Sequence, residues 1–460
     1  MRLPARPPRR ISLTLAALLA LAGGGAHAQS LLQLYPQAQG YDAAVQSASA
    51  QLQASQARAE QARAGLLPQL GLQAGAQHNW VDTSVGSLGS NSSFNVLTAG
   101  LVGSQPLYRP ANRIAWDQGQ RAYESARVNL AGAGQDLIVR LAQAYFDVLA
   151  AQDALASVRA LKTAVSQQLA AAQRNFEVGN ATITDSREAQ ARFDLASAQE
   201  IASENDLRVK TLALEQLVGQ AGIHPLALAQ PIVLPAPQPA DVNAWVAQAT
   251  EQHPGVVQAR MALDIARLET DRARAAGQPT VDLQASVGTS RYPNGNPSIT
   301  LAPTTGARTN NASIGVVLNW PLFAGYAIEN RVKETLALQD KARADLDSLQ
   351  RTVSQSARAA FFGVQSGLSQ VKALEAAEHS SQTALQANLI GYQVGVRINI
   401  DVLNAQSQLY QTQRDLARAR YDVLVGLLRL KQAAGALSVD DLAGVDALLA
   451  KAAPAAEKTQ

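Results

Sequence analysis

The sequence predicts an α+β membrane protein in which one unit, helix–strand–strand–long helical hairpin, is written twice. Three observations predict it. Four blocks of residues recur in the same order at offsets of 211 to 216. Two long stretches lack proline and are rich in Ala, Gln, Leu and Arg, good helix formers. Each unit also holds a pair of segments alternating apolar and polar residues, the period of a strand with two unlike faces.

The first 28 residues read as a signal peptide. Arg2, Arg6, Arg9 and Arg10 form a basic start, 11–21 is an apolar core, and Ala26-His27-Ala28 is an A-x-A cleavage site. The apolar core is too short for a spanning anchor. Its loss removes four arginines and no acids, taking the formal charge from +3 to −1. The basic balance of the full chain is therefore no argument for nucleic acid. The absence of cysteine excludes disulfides, thiolate metal sites and a lipid-modified N-terminal Cys. No later segment has 18 consecutive apolar residues, so a membrane must be crossed as strands.

The first repeat is predicted over 29–218. A short helix over 41–66 leads to strands over about 69–80 and 94–108, then a long helical hairpin over 112–218. In the first strand Leu70, Leu72, Ala74 and Ala76 alternate with Gln69, Gly71, Gln73 and Gly75. The hairpin's first helix runs over 112–178, roughly 100 Å at 1.5 Å per residue. It stops at Gly179 and resumes near Asp185, placed as an N-cap. A proline-rich linker covers 219–241. The second repeat, 242–435, has a short helix over 242–277, strands over about 280–292 and 311–323, and a hairpin over 327–432. That hairpin stops at Gly395 and resumes at Asp401, a second candidate N-cap. The segment 436–460 is expected to join the linker in a collar and to end in a disordered tail.

The loops 81–93 and 293–310 are rich in Gly, Ser, Thr, Asn and Pro. Aromatics cluster at the strand ends: Trp80, Phe94 and Tyr292 toward the loops, Tyr108, Trp320 and Phe323 toward the helices. They are expected to form two interfacial girdles facing lipid. Four strands cannot close a barrel, and an open edge in hydrocarbon leaves backbone groups unpaired. The chain must therefore oligomerise, with 8 strands from two copies or 12 from three. Only the larger leaves a water-filled lumen for the polar face.

The repeated tip, Phe176-Glu177-Val178-Gly179 with Asp185 and Tyr392-Gln393-Val394-Gly395 with Asp401, resembles the TolC family of outer-membrane efflux proteins. So do Gln105-Pro106-Leu107-Tyr108 and Trp320-Pro321-Leu322-Phe323 at the strand ends. The resemblance covers essentially the whole chain after residue 28. It implies a homotrimeric 12-stranded transmembrane β-barrel continued by a 12-helix periplasmic α-barrel. It also implies a passive exit duct of a tripartite efflux or type I secretion system. The partners implied are a periplasmic adaptor and an inner-membrane transporter of ABC or RND type. On this resemblance Thr184, Asp185, Tyr392 and Arg397 are links of a periplasmic gate, and Asp401 is an acidic ring at the entrance. Asn404 stands where the family's best-known member has a second Asp, which halves the ring charge. Val178, Gly179 and Asn180, with Val394, Gly395 and Val396, match the tips where adaptors dock. His253-Pro254 keeps a helix-start proline that Asp42-Ala43 lacks, so a softer start is expected at Asp42. Without the resemblance, helix capping accounts for both Asp residues and a solvated charge for Arg397.

Catalysis finds no motif. The five His lack metal-ligand spacing, and neither a nucleophile elbow nor a phosphate-binding loop occurs. No cofactor, metal or enzyme activity is expected. The alternative function is a periplasmic adaptor or scaffold. It would have one helical hairpin between soluble β domains, against the two hairpins and two strand pairs here.

Overall fold

A computed structural model of the chain describes residues 29–85, 88–179, 181–229, 231–294 and 306–449. The expected signal peptide, Asn180, residues 295–305 of the second loop and the C-terminal tail lie outside the described residues. Two compact units make up the chain, and each of two long helices contributes to both.

The sheet unit comprises Ser47–Ala131 and Pro254–Arg351. Its strands are β1 (Gln69–Val85), β2 (Leu88–Tyr108), β3 (Thr280–Tyr292) and β4 (Ala307–Asn319), antiparallel in the order β1-β2-β3-β4. The register aligns the alternation of all four. Leu72 lies opposite Leu101, Leu101 opposite Val287, and Val287 opposite Ala312. One residue along, the row is Gln73, Gly100, Gly288 and Asn311. One face is therefore aliphatic and the other polar or bare. On the aliphatic face Leu72 and Ile314 are 76% and 77% exposed. A Cβ on Gly100 would stand 2.9 Å from the Val287 carbonyl oxygen, so that position requires glycine.

Three sequence expectations change here. The β1–β2 ladder continues through 81–93 to the pair Val85–Leu88. Ladder bonds are made by the backbone, so Ser, Asn and Gly can carry a strand that the alternation does not reveal. β4 covers Ala307–Asn319, not 311–323. It pairs only with β3, whose first residue Thr280 already meets Asn319, so Trp320 and Phe323 lie beyond the ladder. Pro321 also lacks the N–H to extend it. The girdle divides between faces. Trp80 shares the face of Leu72, whereas Phe94 (opposite Asn79) and Tyr292 share the polar face, with ring centroids 6.4 Å apart.

Tyr108 is re-aimed by a bulge. Even-numbered β2 residues up to Ser104 lie in polar rows, but the register shifts between Pro106 and Tyr108. Tyr108 thereby comes opposite Val281, which pairs with Leu318 on the aliphatic face. Just beyond it, Arg109 Nε and Nη2 donate to the two Asp282 carboxylate oxygens at 2.7 and 2.6 Å, a bidentate clamp on the bulge.

Among the described residues, the helical unit comprises 29–46, Gly132–His253 and 352–449. The short helix predicted over 41–66 is preceded by one that the sequence reading misses, and the one predicted over 242–277 is divided in two. α1 (Leu31–Tyr41) and α2 (Ala43–Ala64) part at Asp42; α5 (Val242–Gln252) and α6 (Pro254–Ala275) part at His253. The expected softer start at Asp42 is overturned. Its carboxylate accepts from the Val45 N–H at 3.0 Å and from Arg140 Nη1 and Nη2 at 2.8 and 3.1 Å. Arg140 holds that carboxyl below the usual carboxylate range.

The hairpins are α3 (Pro110–Glu177) with α4 (Ile183–Val218), and α7 (Ala327–Gln393) with α8 (Asn399–Ala433). The long helices have 68 and 67 residues. The linker meets the C-terminal segment at a Leu228–Leu449 bridge, beside a ninth helix, α9 (Val439–Asp446), that the sequence reading misses. The Tyr145 hydroxyl on α3 receives the Leu226 N–H at 2.7 Å, tying the linker to the hairpin. Lower on α3, Asp153 accepts from the Tyr421 hydroxyl of α8 at 2.6 Å, and Tyr421 stacks on Phe146. Burial pushes the Asp153 carboxyl up, partly offset by that hydrogen bond.

Two outcomes are expected. Leu72→Arg, on the aliphatic face, should cost about 2–4 kcal/mol of membrane-embedded stability, whereas Gln73→Arg on the other face should cost little. Urea unfolding of vesicle-inserted protein reads the difference. Asp153 has a folded-state pKa above its unfolded value, so its favourable contribution is present in acid and lost as pH rises through the folded value. Asp153→Asn keeps an acceptor for Tyr421. It should raise the melting temperature at pH 7 by about 2–4 °C. That gain should vanish below the ordinary carboxylate range, as circular dichroism melts at both pH values would record.

Candidate functional site

The hairpin tips bring together the residues with which the two repeats differ. Each long helix stops because a glycine adopts the left-handed backbone: Gly179 at φ 79° and Gly395 at φ 78°. At the second tip the Val396 N–H donates to the Gly391 carbonyl at 2.8 Å and the Gly395 N–H to the Tyr392 carbonyl at 3.2 Å. This is the paired bonding of a Schellman stop. Val178 and Val394 project from the tips 69% and 68% exposed.

The returning helices begin differently. α4 starts on Thr182, whose hydroxyl accepts from the Asp185 N–H at 3.3 Å while the Asp185 carboxylate accepts from the Thr182 N–H at 3.1 Å. Asp185 is thus the third residue of a capping box, not the N-cap predicted. α8 starts on Ile398, which has no side-chain acceptor, so Asp401 is likewise a first-turn residue and not the cap. Its negative charge still suits the positive helix end.

The predicted gate residues do not bond one another within one chain. Thr184 lies exposed on the first turn of α4. The Tyr392 hydroxyl accepts from Asn175 Nδ2 at 3.3 Å and bonds neither Thr184 nor Asp185. Arg397, 60% exposed at its side chain, stands 3.6 Å from Asp401 in its own hairpin. Asn404, in the place of the second acidic residue, accepts from Arg192 Nη2 of the other hairpin at 2.9 Å. A cation therefore adjoins the position where the resemblance leads one to expect an anion.

What joins the two tips is a polar contact that the sequence reading missed. Asn399, 2% exposed, accepts from Gln168 Nε2 on α3 and donates through Nδ2 to the Asp185 carbonyl on α4 at 3.3 Å. Apolar packing of Val165, Ala172, Ala189 and Leu403 accompanies it. The repeat offset of 216 held a usable signal. It aligns Asn399 with Ile183 and Gln168 with Ala384, so the second repeat cannot make the reciprocal bond.

The chain matches the outer membrane efflux protein family over residues 34–220 and 245–436, which takes in both repeats. It is 32% identical to the outer membrane protein TolC of Vibrio cholerae, over 95% of this chain and 98% of that one. It is 31% identical to the alkaline protease secretion protein AprF of Pseudomonas aeruginosa, over 93% and 88%. Among solved structures it superposes on the Campylobacter jejuni CmeC outer membrane channel with a TM-score of 0.74, over 98% of both chains at 15% identity. For VceC from Vibrio cholerae the TM-score is 0.73, over 88% of this chain and 96% of that one, at 20% identity. These two likenesses concern the fold, which is the α+β architecture read from the sequence. With both repeats matched and relatives above 30% identity along nearly its full length, the chain belongs to the outer membrane efflux protein family, also called the TolC family, and is an outer-membrane exit duct for efflux or type I secretion.

Proposed function

We propose that three copies form one duct, closed at its periplasmic end by the hairpin tips and opened by partners that dock there. The carrying observation is a four-stranded sheet with two unpaired edges and an exposed aliphatic face. In hydrocarbon those edges must be paired. Three copies of four strands give twelve, wide enough for water inside, with the Gln, Gly, Ser and Asn rows toward the lumen. Three copies of two hairpins give a helical wall.

The duct works passively, without covalent chemistry on its cargo. A periplasmic adaptor meets the exposed Val178 and Val394 tips, and an inner-membrane transporter of ABC or RND type supplies the energy. Thr184, Asp185, Tyr392 and Arg397 link hairpins across the closed end, with Asp401 ringing the entrance. Each hydroxyl–carboxylate or guanidinium link is worth about 1–3 kcal/mol. Threefold repetition favours the closed state by several kcal/mol, which differential contacts with a docked partner can overcome. The polar lumen suits small molecules and unfolded polypeptides alike. Relatives named for protease secretion support the latter.

Three experiments test this reading. Unheated outer membranes should yield an SDS-resistant band at three times the chain mass that collapses on boiling; a monomer at both temperatures defeats the trimer. Tyr392→Phe combined with Arg397→Ser should raise single-channel conductance in planar bilayers, and unchanged conductance counts against the gate. Deleting the gene, with drug susceptibility measured beside the secreted proteome, separates the cargo classes.

A further inference from the structure

We propose that Asn399 is a positioning residue of the entrance, a latch by which the first hairpin holds the start of α8 in its closed place. The inference rests on the gate reading above and adds to it a contact internal to each protomer. Three observations carry it. Asn399 is buried and spends both ends of its amide on the other hairpin, the oxygen on Gln168 and the nitrogen on the Asp185 carbonyl. Gln168 is itself only 7% exposed, so water does not readily replace the bond. α8 begins on Ile398 with no side-chain cap, whereas α4 begins with a complete capping box.

The last difference turns a contact into a latch. An uncapped helix start leaves backbone N–H groups without intrahelical partners and frays readily. The first turn of α8 therefore depends for its position on Asn399, and it carries Asp401, next to Arg397. Release of Asn399 frees the groups that the gate uses. The bonds between the hairpins, Gln168 to Asn399, Asn399 to the Asp185 carbonyl and Arg192 to Asn404, are directional, so they set the register of the seam and exist only while the hairpins are together.

The test compares Asn399→Ile, which installs the residue of the first repeat, with Gln168→Leu, which removes the bond from the other side. The full chain is used in planar bilayers after confirmation of its SDS-resistant oligomer. Each variant should raise the open fraction roughly five- to thirtyfold, the effect of losing one buried hydrogen bond. The double variant should do no more than the larger single one, because both act on the same bond. If either single variant folds and assembles but conducts as the parent does, the latch is overturned. Additive effects in the double variant overturn it too. The Tyr392→Phe, Arg397→Ser channel separates the layers. A rise there with none for Asn399→Ile removes the latch and keeps the gate; no rise in any of them removes both.

Discussion

A strand edge in hydrocarbon has nowhere to send its N–H and C=O groups, and the rest of this architecture answers that constraint. Four strands leave two edges, so the chain is stable in a membrane only as part of a larger closed sheet. Closure in turn demands that every strand present the same two faces. The register achieves this, with Leu72, Leu101, Val287 and Ala312 in one row and Gln73, Gly100, Gly288 and Asn311 in the next. A slip of one residue in β1, β3 or β4 would put glutamine or asparagine against lipid. The bulge at Pro106 shifts the register between β2 and β3. It turns Tyr108 toward the aliphatic row, and the Arg109–Asp282 clamp fixes the chain as it leaves the sheet for α3.

The periodicities of the sequence carried most of the fold. Period 2 marked the strands where their side chains alternate, and proline-free stretches marked the rods. Legibility failed where backbone rather than side chains decides. The polar stretch 81–93 is ladder because its partner is in reach, which no side chain announces. Trp320 and Phe323 fall outside β4 because β3 has no residue left to pair, a fact about a neighbour 40 residues away. Phe94 and Tyr292 looked like girdle residues by position along the strand. Which face they occupy depends on a register that composition does not encode.

The two breaks between short helices show one requirement met by different chemistry. Asp42 and His253 occupy equivalent places, offset by 211, and both take an extended backbone between short helices. At His253 the following proline enforces it, since Pro disfavours the helical region for the residue before it. At Asp42 no proline follows, and the carboxylate does the work by capping Val45 and binding Arg140. A sequence reading that looks only for proline sees the second break and misreads the first.

The same contrast governs the tips, with the opposite consequence. A duplicated unit yields near-equivalent staves, which is what a closed wall needs, but identical staves would also resist opening equally. Thr182 and Asp185 make α4 self-sufficient, since their reciprocal bonds lie within four residues. Ile398 leaves α8 dependent on its neighbour, and Asn399 makes that dependence by bonding Gln168, 231 residues away in sequence. A local cap is insensitive to where the other hairpin lies, whereas a cross-hairpin bond exists only while the two are together. Movement between hairpins is therefore coupled to the order of the α8 start, and through it to Arg397 and Asp401. One substitution in each copy, Thr182 against Ile398 and Ile183 against Asn399, suffices to make one stave fixed and the other conditional.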